Sequence, residues 1–182
     1  MAYLYAFITV ALCIVVYGCA AYTMRNPDNP IWPPRQFGWG ARIATWTITI
    51  AAIGSAYLAG ASSWNAWNLP DWVRFYIGFP IVFVVSSFSS LAIVQMGLDQ
   101  AMGANNALKT DGLFAKSRNP TYLANVGLCV GFILLAASTP ALIAASALSA
   151  LYIAAVPLEE AWLKRTYGDD YAGYSTRTPR WL

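Results

Sequence analysis

The 182-residue sequence is 58% hydrophobic and only 10% charged, with a net charge of +3 and no histidine. Soluble domains carry about 25% charged residues, so this composition excludes a domain that faces water on all sides. It predicts an all-α fold, a polytopic membrane helical bundle formed by a single domain. Without histidine the chain lacks the commonest metal ligand, and no basic block points to a nucleic-acid partner. We therefore expect neither a metal site nor nucleic-acid binding.

Five apolar stretches predict about five transmembrane helices, since a membrane-spanning helix requires about 20 apolar residues. They are Tyr3–Thr23, Ala41–Ser62, Trp72–Met96, Tyr122–Ser138 and Ala141–Pro157. No basic segment precedes the first stretch and no suitable cleavage site follows it, so we interpret it as a retained span. The last two are separated only by Thr139 and Pro140. They predict a tight helical hairpin in which Pro140 lies at a helix start.

Basic residues alternate between the connections. They fall in the first connection (Arg25, Arg35, Arg42), the third (Lys109, Lys116, Arg118) and the C-terminal tail (Lys164, Arg165, Arg177, Arg180), whereas the second has only Arg74 and the fourth has none. The positive-inside rule then predicts an N-terminus outside and a C-terminus in the cytoplasm, across the inner membrane if the cell is bacterial. Arg42 and Arg74 lie at span ends, where we interpret them as snorkelling side chains.

Aromatic and small residues fit the same arrangement. Aromatic side chains cluster near predicted span ends, as in an interfacial belt: Trp32, Trp64, Trp67, Trp72, Tyr171, Tyr174 and Trp181. Gly127 with Gly131, and Ala56 with Gly60, form small-xxx-small pairs that let helices approach closely. The three cysteines lie inside apolar runs and are interpreted as packing residues.

The third connection, Gly97–Thr121, is too polar to cross a membrane and too long for a minimal turn. Asn119 and Pro120 predict an N-cap and the first residue of the fourth span. The free N–H groups of that helix, together with Arg118, would suit an anionic group such as a carboxylate. A capped membrane helix beside a snorkelling arginine would have the same residues, so both interpretations stay open.

Glu159 and Glu160 lie at the inner end of the fifth span. Two carboxylates at a membrane boundary are costly unless they are solvated, paired or bound to something. The helix is predicted to continue through Leu163 to Tyr167 and to end at Gly168. At 100° per residue the two glutamates flank the Leu163/Tyr167 stripe, and both can face the third connection. The alternative is a solvated pair that balances the basic residues next in the chain.

These segments resemble the isoprenylcysteine carboxyl methyltransferase and phospholipid methyltransferase superfamily. The resemblance is carried by Lys109-Thr110-Asp111-Gly112-Leu113-Phe114, by Ser117-Arg118-Asn119-Pro120-Thr121-Tyr122-Leu123, by Glu159-Glu160-xx-Leu163-xxx-Tyr167-Gly168-xx-Tyr171-xx-Tyr174, and by Arg180-Trp181. That superfamily pairs an Arg-His/Asn-Pro-x-Tyr motif with a Glu-Glu motif one helical hairpin later. In a single domain of residues 1–182, residues 1–96 would form N-terminal spans and residues 97–182 the methyltransferase-like half.

The resemblance implies an integral membrane enzyme that uses S-adenosylmethionine as its cofactor. The cofactor would lie on the cytoplasmic side, and a lipophilic or lipid-linked acceptor would enter from the surrounding membrane lipids. The cofactor-binding residues implied are Gly112, Leu113, Phe114, Arg118, Asn119, Pro120, Tyr122, Glu159 and Glu160; no catalytic residue is implied. Chemically, an arginine and a helix N-terminus suit the carboxylate of S-adenosylmethionine, and a glutamate suits its ammonium or ribose hydroxyls.

Two positions depart from the superfamily pattern. Asn119 stands where many relatives have histidine, and Ala155 stands where prenylcysteine enzymes carry an arginine four residues before the glutamate pair. A prenylcysteine acceptor is therefore not expected. The alternatives are a phospholipid-amine N-methyltransferase, a nicotinamide-dependent reductase, and a non-catalytic membrane scaffold or small transporter. The absence of charges from the middles of the spans argues against an ion or proton path.

Overall fold

The computed structural model describes residues 1–26, 39–97, 100 and 107–182, and within them the protein is an all-α bundle without a strand. Its long helices are α1 (Ala2–Arg25), α2 (Trp39–Ala61), α3 (Asp71–Met96), α4 (Pro120–Ala136) and α5 (Thr139–Arg177). A short 3₁₀ helix, Gly112–Ala115, precedes α4. The predicted fold class is confirmed. Trp32 and Arg35 of the first connection lie outside the described residues, as does the side chain of Arg42.

Each predicted span falls on one helix. Helices α1, α2, α3 and α5 are long and apolar enough to cross a membrane, and α4 is a shorter apolar helix of 17 residues. At 1.5 Å per residue α4 is about 25 Å long, somewhat less than a hydrocarbon core of about 30 Å. Helix α5 continues beyond the predicted span through Pro157, and Gly168 interrupts it with a φ of 51°. The predicted end at Gly168 is a kink, because helical structure resumes and runs to Arg177.

Small residues allow neighbouring helices to pack closely. Helix α4 packs between α3 and α5, while α1 packs against α2 and α5. A Cβ atom at Gly131 would lie 2.7 Å from the Val82 side chain, and one at Gly127 would lie 3.0 Å from Val85. A Cβ atom at Gly60 would lie 2.5 Å from Phe132. The predicted close approaches are confirmed, and they fix α4 against both α2 and α3.

One end of the bundle, the turn end, holds the tight turn between α4 and α5. Ala137 in that turn adopts a left-handed φ of 46°. The α2–α3 loop covers the turn, with Asn65 N–H donating to the Ala136 carbonyl at 2.8 Å and Trp67 N–H donating to the Ala137 carbonyl at 2.9 Å. Ser138 caps α5 by accepting from Ala141 N–H at 3.4 Å. The hairpin is therefore fixed at this end, and the start of α4 lies beside α5 at the other end.

Arg74 lies at the turn end and is only 3% exposed, so its interpretation as a snorkelling side chain is wrong. Its Nε donates to the Leu135 carbonyl at 3.0 Å, its Nη1 contacts Asp71 Oδ1 at 3.1 Å, and its guanidinium lies 4.7 Å from the centre of the Trp64 ring. The Leu135 carbonyl, at the C-terminal end of α4, and the face of the Trp64 ring replace water as partners of the Arg74 guanidinium. The π-helical turn Arg74–Gly78 packs against α4, where a Cβ atom at Gly78 would lie 3.1 Å from the Leu134 side chain.

Candidate functional site

A cavity lies at the end of the bundle opposite the turn end, where the start of α4 meets the ends of α3 and of the apolar part of α5. Its lining residues are Met96, Gln100, Leu108, Lys109, Phe114, Arg118, Asn119, Pro120, Thr121, Tyr122, Glu159, Leu163 and Tyr174. The short hairpin makes α4 and α5 antiparallel neighbours, which explains why the Arg118–Tyr122 segment and the glutamate pair meet here. Of the nine residues that the sequence suggested, six line this cavity.

Glu160 lies behind the cavity wall, 8% exposed, inside a network of donors. Its Oε2 accepts from Arg180 Nη2 at 2.7 Å and from Arg180 Nε at 3.1 Å, and its Oε1 accepts from Asn119 Nδ2 at 3.1 Å. Arg118 Nη2 lies 3.6 Å from the same Oε1. A carboxylate this deeply buried requires such partners. The network joins α4, α5 and the C-terminal tail.

Glu159 is half-buried and lines the cavity itself. Its Oε2 accepts a hydrogen bond from the Tyr122 hydroxyl at 2.6 Å. Consecutive helical residues project about 100° apart, so Glu159 and Glu160 reach different parts of the first turn of α4. The two carboxylates therefore have different chemical surroundings, which the sequence did not distinguish.

Asn119 occupies the N-cap position of α4, but its side chain does not cap the helix, and that part of the prediction is wrong. Its Nδ2 donates to Glu160 and also to the Arg180 carbonyl, both at 3.1 Å. The amide donates instead of accepting because a buried carboxylate and a carbonyl face it. Pro120 begins the helix as predicted. The first turn of α4 thus keeps N–H groups that no side chain of its N-cap residue covers.

Gly112 and Leu113 connect the 3₁₀ helix to α3 and do not line the cavity. Leu113 N–H donates to Gln95 Oε1 at 2.8 Å, and a Cβ atom at Gly112, whose φ is +60°, would collide with the same side chain. The next residue, Phe114, is buried in the cavity wall, and its carbonyl accepts from the Tyr174 hydroxyl at 2.6 Å. The segment therefore positions Phe114 between α3 and the kinked end of α5.

The C-terminal tail crosses the start of α4 after α5 ends. Arg118 N–H donates to the Pro179 carbonyl at 3.0 Å, and Ser117 Oγ donates to the Arg180 carbonyl at 3.4 Å. The hydrogen bond from Arg180 to Glu160 and the charge of that carboxylate raise the pKa of Arg180, which keeps the guanidinium positively charged. Sequence reasoning noted Arg180 as part of a motif and missed its contact with Glu160.

Two residues that line this cavity each carry a buried donor with no hydrogen-bond partner among the residues that the structure describes: Arg118 Nε and Thr121 Oγ1. The other polar contacts of the Arg118 guanidinium are long, 3.5 Å to the Tyr171 hydroxyl and 3.6 Å to Glu160. An unsatisfied buried donor costs about 1–3 kcal/mol and is uncommon. Two of them on one cavity, beside an uncapped helix start, suit a ligand rich in acceptor oxygens. Thr121 was not among the residues suggested by the sequence.

The comparison with known families covers the same elements. A family model described as phospholipid methyltransferase matches residues 74–170. The match spans more than half of the chain and includes both the Arg118–Tyr122 segment and the glutamate pair. The chain belongs to the phospholipid methyltransferase family. No curated protein and no solved structure matched. The predicted superfamily is confirmed. The four long apolar helices fit an integral membrane protein of this family.

Part of the cavity of this phospholipid methyltransferase family member lies beyond the matched residues. The match ends at residue 170, whereas Tyr174 lines the cavity and Arg180 binds Glu160. Both follow the kink at Gly168, and the exposed residues Asp169 and Asp170 show that this end of α5 lies outside the apolar, membrane-crossing part. The tail therefore adds contacts to the family's motifs.

Tyr174 gives this region a dependence on alkaline pH. Its side chain is 4% exposed, and burial raises its pKa from 10.0 to about 12. A raised pKa in the folded state means stability that is present below pH 10.0 and lost as the pH rises to about 12.

We expect Tyr174→Phe to lower the free energy of unfolding by about 1 kcal/mol at neutral pH, because the hydrogen bond is lost. The same change should reduce the loss of stability at alkaline pH. Denaturant unfolding in detergent checks both; Tyr76→Phe, whose ring is 80% exposed, is the control. A wild-type pH profile in Tyr174→Phe would contradict the assignment.

Proposed function

We propose that this protein is an integral membrane methyltransferase that transfers the methyl group of S-adenosylmethionine to a lipophilic or lipid-linked acceptor from the bilayer. The observation that supports the proposal is a pair of buried donors, Arg118 Nε and Thr121 Oγ1, which find no partner in the described part of the chain and belong to residues that line the cavity beside the uncapped start of α4. The carboxylate of S-adenosylmethionine supplies the acceptor oxygens that these donors lack. Its sulfonium supplies an activated methyl group.

The rest of the cavity suits the other parts of that cofactor. The carboxylate of Glu159, which lines the cavity, can accept hydrogen bonds from an ammonium or from ribose hydroxyls. Phe114 and Leu163 offer apolar surface to a base ring. Methyl transfer is an in-line displacement, so positioning of the two reactants supplies much of the rate, and no histidine is needed. The cavity volume is about 60 Å³, so its walls have to move apart to admit the whole cofactor.

The position of the cavity favours an acceptor from the membrane. Helix α3 ends at this cavity and helix α4 begins there. Tyr122 in the cavity wall packs against Tyr152 in the span of α5, with ring centres 6.4 Å apart. Ala155 is 7% exposed and brings no charge where prenylcysteine enzymes carry arginine. We therefore propose a lipid acceptor without the prenylcysteine carboxylate. A phospholipid amine is the alternative that shares this site.

A transporter or scaffold fits the structure less well. The turn end is closed by hydrogen bonds from the α2–α3 loop to the α4–α5 turn, including Ser63 Oγ to Ser138 Oγ at 2.8 Å and Trp67 Nε1 to Thr139 Oγ1 at 3.1 Å. A transport path would have to open this end. The cavity lined by Arg118 and Glu159 lies at the opposite end, which suits chemistry at one membrane surface.

The experiment that tests the proposed function follows the methyl group. Membranes containing the protein are incubated with methyl-labelled S-adenosylmethionine, and lipids are extracted and separated. We expect label in a lipid fraction with wild type and with Arg165→Ala, which replaces an exposed arginine, and a strong reduction with Arg118→Ala. Absence of label from every lipid fraction with wild type would refute the proposal.

The proposed topology places the cavity in the cytoplasm and the N-terminus outside. Ala66 in the α2–α3 loop is exposed, and Ser175 near the end of α5 is half-buried. In a background lacking Cys13, Cys19 and Cys129, single cysteines at these two positions should react with a membrane-impermeant thiol reagent from opposite sides. In sealed cells Ala66→Cys should be labelled and Ser175→Cys should be protected until the cells are opened. Labelling of both from one side would contradict the topology.

A further inference from the structure

We propose that the C-terminal segment, residues 169–182, is a hinged lid over the cofactor cavity, with Gly168 as its hinge and the Arg180–Glu160 ion pair as its latch. The inference rests on the proposed function, because it concerns how S-adenosylmethionine enters and leaves that site. Ligand pockets usually enclose about 300–1,000 Å³, whereas this cavity has a volume of about 60 Å³. One of its walls therefore has to move before the cofactor can enter.

The helical walls of the cavity are fixed by close packing. Helix α4 approaches α3 so closely that a Cβ atom at Gly131 would lie 2.7 Å from the Val82 side chain. The 3₁₀ helix is tied to α3 by the hydrogen bond from Leu113 N–H to Gln95 Oε1 at 2.8 Å. Moving these helices apart would open a close-packed interior and lose its dispersion contacts. These walls are therefore poor candidates for the one that moves.

The lid is attached to the start of α4 mainly through polar contacts. Its Pro179 carbonyl accepts from Arg118 N–H at 3.0 Å, and its Tyr174 hydroxyl donates to the Phe114 carbonyl at 2.6 Å. The contact between the Tyr171 hydroxyl and the Arg118 guanidinium is long, at 3.5 Å. Water can replace each of these partners when the lid moves, so the net loss per hydrogen bond is small.

The two faces of the lid differ in exposure. Tyr171 and Tyr174 are each 4% exposed and face the bundle, with ring centres 6.1 Å apart. The residues of the outer face are exposed: Asp169, Asp170, Gly173, Thr176 and Arg177. Burial of the two tyrosines favours the closed position. The charged outer face lets the lid move through water and not through lipid.

Gly168 separates the lid from the preceding part of α5. Its φ of 51° and ψ of −121° are not helical, so the helix changes direction at this residue. Glycine adopts such a conformation far more readily than any other residue. A Cβ atom at Gly168 would meet nothing within 4 Å, so the surrounding residues leave room for its backbone to rotate. With helical dihedral angles at this position, α5 would run straight and the lid would lose its contacts with α4.

The ion pair between Arg180 and Glu160 joins the far end of the lid to the part of α5 before the hinge. Arg180 Nη2 lies 2.7 Å from Glu160 Oε2, and Arg180 Nε donates to the same oxygen at 3.1 Å. The Arg180 side chain is 49% exposed and that of Glu160 is 10% exposed. A half-exposed ion pair is weak. Arg180 can therefore leave for water while Glu160 keeps its place, which is what a latch requires.

Two variants of the full-length protein in detergent test the lid, each with a matched control. Gly168→Ala favours the straight helix, and Gly173→Ala is its control, because Gly173 is exposed and a Cβ atom there meets nothing within 4 Å. Arg180→Gln removes the ion pair, and Arg177→Gln, at an exposed position in the same lid, is its control. Rapid mixing with S-adenosylmethionine measures the association and dissociation rate constants.

Hydrogen exchange gives a second readout that needs no cofactor. The amide of Arg118 donates to the Pro179 carbonyl of the lid. Its exchange rate therefore reports how often the lid opens.

We expect Gly168→Ala to raise both rate constants by about 5- to 30-fold, from the cost of a side chain in that backbone conformation. Arg180→Gln should raise both by up to about fivefold, the range for a half-exposed ion pair. Without cofactor, the Arg118 amide should exchange faster by the same factors. Because a lid acts on entry and exit alike, the dissociation constant should change less than either rate constant. Both controls should match wild type.

Three results would overturn the inference. Faster dissociation with unchanged association would show that Gly168 and Arg180 support the bound cofactor and do not gate it. Unchanged rate constants and unchanged exchange at Arg118 in both variants would refute the lid and leave the proposed function intact. A wild type that binds no S-adenosylmethionine would refute the proposed function itself, so the two failures are distinguishable.

Discussion

Arg118→Ala and Glu160→Ala should each weaken the binding of S-adenosylmethionine by about 10- to 150-fold. The estimate corresponds to about 1.5–3 kcal/mol, the range for hydrogen bonds to charged groups. Arg118→Ala would remove the proposed contact to the ligand from Nε, which has no hydrogen-bond partner among the described residues. Glu160 would act by holding Arg118, Asn119 and the tail residue Arg180 in place. Calorimetric titration in detergent measures both constants.

The double variant separates a shared site from two independent ones. Because the Arg118 and Glu160 side chains lie 3.6 Å apart, their effects should couple, and the double variant should lose less than the sum of the two single losses. Arg165→Ala, at an exposed position on the same helix as Glu160, is the control and should bind as wild type does. Full additivity would show that the two residues do not serve one ligand.

Arg74→Ala should destabilise the protein by about 2–4 kcal/mol without changing cofactor affinity in the folded fraction. The estimate combines a lost buried side chain with a Leu135 carbonyl left without its donor. The affinity for the cofactor should stay unchanged because Arg74 lies at the turn end, away from the cavity. Thermal or denaturant unfolding in detergent measures the loss. Arg25→Ala, at the exposed end of α1, is the matched control. Equal stability of the two variants would show that the Arg74 contacts contribute nothing.

The helices could be predicted from the sequence because the bilayer imposes a length and a polarity on every spanning segment. Gly127 and Gly131 predicted a close approach for a similar reason, since small residues at that spacing have few other uses in an apolar helix. The hairpin followed from a turn too short for any other connection. The meeting of the Arg118 segment with the glutamate pair followed from that hairpin.

The side-chain partners could not be predicted in the same way. Arg74 looked like a snorkelling residue because the sequence gives no sign of the π-helical turn or of the carbonyl that α4 presents to it. Asn119 looked like a cap because capping is local, whereas its partners, Glu160 and the Arg180 carbonyl, come from elsewhere in the chain. Nothing in the sequence distinguishes Thr121 from the other residues of an apolar helix. The structure does, because its hydroxyl has no hydrogen-bond partner within the described part of the chain.

The measurement that tests the central claim most directly is titration of the purified wild-type protein with S-adenosylmethionine and with its demethylated product. Binding of one equivalent of each, in mutual competition and weakened by Arg118→Ala but not by Arg165→Ala, is the result we predict. Binding of neither compound, by a protein shown to be folded in the same detergent, would contradict the assignment of the cavity to this cofactor.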